Sequence, residues 1–92
     1  MEKSKVKIVN MESSRGNVVP NQFIIYTDKG RYFQSYASII CFISTSGETF
    51  LDAEKWDYST TTSKYRNNFL GETKKETQIK IKSGEYKLTN LN

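Results

Sequence analysis

Gln22-Phe23-Ile24-Ile25-Tyr26-Thr27, then Asp28-Lys29-Gly30, then Arg31-Tyr32-Phe33-Gln34-Ser35-Tyr36 is the stretch on which the fold turns. Both flanks are rich in β-branched and aromatic residues, which suit a pleated, half-buried surface. The short turn between them supplies a glycine for positive φ. The stretch predicts a β-hairpin. Immediately downstream, Ser38-Ile39-Ile40-Cys41-Phe42-Ile43-Ser44 is the most apolar run of the chain and reads as a central strand. Ser46-Gly47 turns the chain, and Glu48-Thr49-Phe50-Leu51-Asp52 returns. Upstream, Lys5-Val6-Lys7-Ile8-Val9 alternates polar and apolar residues, the period of a half-buried strand. Ser13–Asn17 is turn chemistry. Pro20 is expected to end that loop, because proline cannot donate to a ladder. The result is an antiparallel meander of four strands, with the N-terminal segment as a fifth.

After Asp52 the pattern changes. Ser59-Thr60-Thr61-Thr62-Ser63 is a run of helix N-cap residues. It leads into Lys64-Tyr65-Arg66-Asn67-Asn68-Phe69-Leu70, and Gly71 is the preferred residue just beyond a helix end. A helix over 62–70 is predicted. Tyr65 and Phe69, four apart, would share the face that packs on the sheet, with Lys64, Asn67 and Asn68 as a polar ridge beside it. Residues 73–88 admit two readings. Thr73-x-x-Glu76 is a capping box and Gly84 a stop, which together favour a helix over 74–82. Ile79 and Ile81 also alternate with lysines, and Ser83-Gly84 can join two strands, Gln78–Lys82 and Glu85–Leu88. Tyr86–Leu88 reads as extended, and the tail Thr89–Asn92 as loosely held.

The 92 residues make one domain, 1–92, without repeats or low-complexity segments. No apolar run approaches the ~18 residues of a membrane span. Met1–Asn10 has no continuous apolar core, so a leader peptide is not expected and a cytoplasmic protein is. Cys41 is the one cysteine and lies within an apolar run, so it reads as a small buried hydrophobe. The chain has no histidine. That removes the usual zinc and iron ligand sets and the usual base for a serine or cysteine nucleophile. Phosphate-cradling glycine motifs and acidic calcium loops are absent as well. A non-enzymatic protein with no cofactor and no metal is the expectation.

The position of the charge is more informative than its total. Residues 63–92 hold Lys64, Arg66, Lys74, Lys75, Lys80, Lys82 and Lys87 against Glu72, Glu76 and Glu85, and so carry the whole +4 excess of the chain. Such asymmetry points to an anionic partner on one side of the molecule. Lys64, Arg66, Lys74, Lys75, Lys80 and Lys82 are the candidate phosphate contacts, and the helix start at Thr61 and Thr62 would add backbone donors. Trp56 and Tyr58, with Tyr32 and Tyr36, are candidate stacking planes or protein anchors. Two helices around Gly71 invite a helix-turn-helix reading, but Arg66, Glu72 and Lys80 fall where that motif needs core residues.

Phe33-Gln34-Ser35-Tyr36, Leu51-Asp52, Trp56-Asp57-Tyr58-Ser59-x-Thr61-Thr62-x-Lys64-Tyr65-Arg66, Phe69-Leu70-Gly71 and Ile81-Lys82-Ser83-Gly84-Glu85-Tyr86 resemble a group of small uncharacterised proteins of bacteriophages and mobile elements in Gram-positive bacteria. The resemblance covers most of residues 20–92 and brings no activity with it. It implies a context, an accessory product made in the cytoplasm of an infected host, where such proteins bind host or phage macromolecules and some block defence nucleases. The expected fold is α+β: an antiparallel four- to five-stranded sheet with one or two short C-terminal helices. The expected function is nucleic-acid binding through the basic C-terminal surface. The alternative is a protein-binding inhibitor of a host enzyme or antiviral defence complex, similar in role to an anti-CRISPR. Either a monomer or a homodimer fits.

Overall fold

Five strands follow one another across a single sheet: β1 (Lys7–Glu12), β2 (Val18–Thr27), β3 (Gly30–Ser35), β4 (Ser38–Ser44) and β5 (Thr49–Asp52). The structure, a computed structural model, describes residues 5–92. Each neighbour in this meander is antiparallel. Two helices follow, α1 (Thr60–Leu70) and α2 (Lys74–Ser83), and then β6 (Tyr86–Thr89), which lies parallel to β5 at the sheet edge. Parallel neighbours need a long crossover, and the helix pair supplies it. The fold is thus α+β, with one six-stranded, mostly antiparallel sheet and two helices.

Directly paired residues share a face, so the register sorts the side chains into rows. Val9, Ile24, Phe33, Cys41 and Leu51 form one row across β1–β5, and Leu88 continues it on β6. The helices lie over this face, α1 against β3 and β4 and α2 against β6. Phe33, Ile40, Cys41 and Leu51 are fully buried there, with Met11, Tyr65 and Tyr86 beside them. The Phe69 ring stacks on Phe33 at 5.8 Å, so Tyr65 and Phe69 do share the packing face. Ile8, Ile25, Tyr32, Phe42 and Phe50 form the neighbouring row, which points the other way.

The helix ends follow their local chemistry. Ser59 caps α1, its side chain accepting from the Thr62 N–H, and Gly71 closes it in the left-handed region. Thr73 and Glu76 form the reciprocal capping box of α2, and Gly84 ends it. Residues 74–83 are therefore helix, and the strand reading of Gln78–Lys82 is set aside.

Three expectations need correction. Pro20 does not end a loop; it lies inside β2, where Glu12 pairs with Val18 and Asn10 with Phe23. The intervening residues bulge around Asn21 at φ 65°, and a bulge leaves proline free of ladder duty. The sheet has a sixth strand, and it is parallel. The tail is not loose. Leu91 N–H donates to Asp52 Oδ1 at 2.8 Å, and the Asn92 side chain bonds both the N–H and the carbonyl of Ile39. The leader-peptide reading bears partly on Met1–Ser4, which lie outside the described residues.

Candidate binding surface

The helical layer carries the candidate cations, and its polar wiring decides which of them face outward. Spacing by three and four puts Thr62, Tyr65, Arg66 and Phe69 on the buried side of α1. Arg66 is 0% exposed. Its Nη1 donates to the Trp56 carbonyl at 2.6 Å and to Asp57 at 3.1 Å, and its Nη2 donates to Asn67 at 2.9 Å. The guanidinium also lies over the Trp56 ring, 5.0 Å from its centre. Asp57 accepts further from Ser63 and pairs with Lys74 at 2.6 Å. Burial disfavours the Asp57 carboxylate, but hydrogen bonds from Lys74, Ser63 and Arg66 outweigh it and hold its pKa below the usual range.

A second carboxylate, Glu72 in the turn between the helices, joins α2 to β6. Its Oε1 accepts from Lys80 Nζ and from the Tyr86 hydroxyl, each at 2.7 Å, and its Oε2 accepts from Thr77. Burial again opposes the charge, and the bonds from Lys80, Thr77 and Tyr86 again win, so Glu72 is held acidic. The Tyr86 hydroxyl is pushed up to about 12, by burial first and by Glu72 second. Lys80 is raised by the Glu72 bond.

Each candidate residue now has a place. Arg66 is a buried structural cation and cannot reach a phosphate. Thr62 is also fully buried, its hydroxyl bonded to Ser35 Oγ at 2.9 Å and to Ser59 Oγ at 3.0 Å, and the Thr62 N–H belongs to the Ser59 cap. The helix start is therefore self-satisfied at that position. Lys74 and Lys80 are engaged by Asp57 and Glu72. Trp56 is half-buried beneath Arg66. Tyr58 is 45% exposed, with Lys55 Nζ 5.4 Å from its ring centre.

What remains exposed without a carboxylate partner forms a pair of stripes. Thr61, Lys64 and Asn68 are exposed on α1, and Lys75, Gln78, Ile79 and Lys82 on α2, each set at three- and four-residue steps. Lys64 sits over the Tyr65 ring at 5.4 Å. Lys64, Lys75 and Lys82 have no carboxylate partner among the described residues. Sequence reasoning missed two polar clusters, Asp57 with Arg66 and Lys74, and Glu72 with Thr77, Lys80 and Tyr86. A signal for the first was present, since Arg66 is four residues from Thr62 on the packing face.

A cleft of about 260 Å³ opens beside Asp52, Ala53, Glu54, Thr89 and Asn90, slightly under the ~300 Å³ lower bound usual for small-molecule sites. Burial raises the Cys41 thiol well above its usual pKa, which keeps it unreactive. Among the described residues no cluster of His, Cys, Asp or Glu is placed to hold a metal, and no helix is long and apolar enough to cross a membrane.

Comparison with known proteins gives a family and no activity. Residues 6–86 match DUF8033, a family of unknown function, and the chain belongs to it. No curated protein and no solved structure matches the chain.

Proposed function

We propose that this DUF8033 protein is a non-enzymatic accessory protein that binds nucleic acid through the outward stripes of its two helices. The observation that carries the reading is the sorting of charge within the helical layer. Asp57 and Glu72 pair with Arg66, Lys74 and Lys80, while Lys64, Lys75 and Lys82 face solvent with no carboxylate in ion-pair contact. Thr61, Asn68 and Gln78 interleave with these lysines and offer neutral hydrogen bonds to phosphate and sugar oxygens. Lysines contribute point charges and counterion release, so the binding is sequence-tolerant and salt-sensitive. The resemblance to phage and mobile-element products supports a setting inside an infected bacterial cell.

Fluorescence anisotropy with random duplex and single-stranded oligonucleotides, repeated over a salt series, tests this. Three lysine–phosphate contacts predict a log–log salt slope of about −2.7 on duplex DNA, reduced by about 1.8 when Lys75→Ala and Lys82→Ala are combined. Absence of binding at low salt, or a slope indifferent to that double substitution, rejects the reading.

A second reading rests on the small number of unpaired lysines in the helical layer. Three outward lysines are fewer than the roughly 6 to 10 phosphate contacts of tight DNA binders. The same stripes, with Tyr58 as an anchor, suit an acidic patch on a host enzyme or an antiviral defence complex. Failure of the oligonucleotide titration, together with capture of a host protein that is lost in the Lys75→Ala, Lys82→Ala variant, favours it.

A further inference from the structure

We infer that the helix-free face of the sheet docks a second copy of this chain, the two sheets meeting face to face. An antiparallel sheet covered on one side ordinarily alternates, apolar toward the core and polar toward water. This sheet does not. The row Ile8, Ile25, Tyr32, Phe42 and Phe50 crosses five strands on the face away from the helices, and Asn10, Phe23, Gln34 and Ile39 form the next row on that face. Tyr32 stacks on Phe42 at 4.3 Å between ring centres, and Phe42 on Phe50 at 6.1 Å, so the aromatics form a continuous rigid strip. No described helix or strand lies over it. Ile8, 62% exposed, extends the apolar surface to the sheet edge.

Charge selects the occupant. Neither row contains a charged side chain before Lys87 on β6, and Lys87 is paired with Glu48 at 3.7 Å. A polyanion stacked on these rings would find, within the two rows, no counter-charge for its phosphates beyond Lys87, which Glu48 already engages. An uncharged aromatic face is complementary to itself. Stacking two copies on it also leaves both lysine-bearing helical layers outermost, so molecules of net charge +4 approach on the side where repulsion is least.

The area suffices. Strands about 4.8 Å apart, rising about 3.3 Å per residue, give β1–β5 a patch of roughly 24 by 20 Å, near 500 Å² per copy before side-chain relief. Two copies thus cover close to the roughly 1,000 Å² at which a specific interface begins. The arrangement is a four-layer α/β/β/α sandwich in which two sheets pack as in a domain core.

Sedimentation equilibrium of the full chain over a wide concentration range reads the outcome. A mass twice the 10.7 kDa of one chain is expected. Phe42→Lys and, separately, Ile8→Glu should each weaken the dimer at least about tenfold, since a charge placed in the interface has no partner. Ile8 lies exposed on an edge strand, so Ile8→Glu remains a folded reporter by circular dichroism even if Phe42→Lys does not. Ile79→Glu, an equally exposed apolar position on the helical side, should leave the association constant unchanged. A single-chain mass at the highest concentration overturns the inference. So does a dimer that ignores Ile8→Glu and yields to Ile79→Glu.

Discussion

Arg66 is a full charge with none of its side chain in contact with solvent. Such a group is tolerable only when most of its donors are met; four oxygens, from Trp56, Asp57, Ser63 and Asn67, meet those of Nη1 and Nη2, while Nε is left without a partner. Replacing it with alanine leaves a cavity and three side-chain acceptors short of a donor. Arg66→Ala should therefore cost about 3 kcal/mol or more in urea unfolding. The buried acids give the protein a pH signature. Asp52, Asp57 and Glu72 all titrate below their usual range in the fold; for Asp52, burial is opposed by the Leu91 N–H, the Asn92 side chain and the Glu54 and Lys55 N–H groups. A depressed carboxylate contributes stability that is complete above its unfolded pKa, near 4, and is lost as pH falls through the folded value. Tyr86 acts at the other end. Its raised pKa contributes stability below about 10 that is lost as pH climbs toward about 12. Urea midpoints should accordingly be level near neutrality and fall below about pH 4, with a shallower acid limb in Glu72→Gln.

At the scale of the element, the hairpin and the meander were the most legible part of the chain, because their signals are local. Gly30 shows why. It sits at φ 147°, and a Cβ there would collide with the Ile43 carbonyl and the Phe42 ring. Asp28-Lys29-Gly30 thus encodes both a turn and the close approach of β4. Gly30→Ala should lower stability by about 2 kcal/mol or more, seen as a drop in melting temperature, whereas the same change at Gly47, which has open space around it, should cost less. The paired helices were legible from Ser59, Thr73, Gly71 and Gly84. β6 was legible as an extended segment, Tyr86–Leu88, but its pairing was not, since a four-residue parallel strand is specified by a partner thirty-seven positions earlier, Thr49 against Tyr86. The lysines of the candidate site could be named from sequence, but which of them stayed without a carboxylate partner could not. That depended on Asp57 and Glu72 claiming Lys74 and Lys80 across the helix pair. Arg66 was readable as inward by its spacing from Thr62, yet its charge argued the other way.

At the scale of the molecule, sheet and helices form a slab of 41 × 33 × 20 Å. The short axis corresponds to two layers of about 10 Å each. Lysines crown one broad side and aromatics pave the other. The continuous apolar runs Phe23-Ile24-Ile25 and Ile40-Cys41-Phe42-Ile43 carried this information, because a strand covered on both sides loses its alternation. The reading of Ser38–Ser44 as a central strand was right about position, and the layer that would cover its other face is the second copy proposed above. A thin plate tumbles with more friction than a ball of equal mass. Anything that settles on its bare side adds to the 20 Å dimension alone, so the particle becomes rounder as it becomes heavier, and its frictional ratio declines while its sedimentation rate rises.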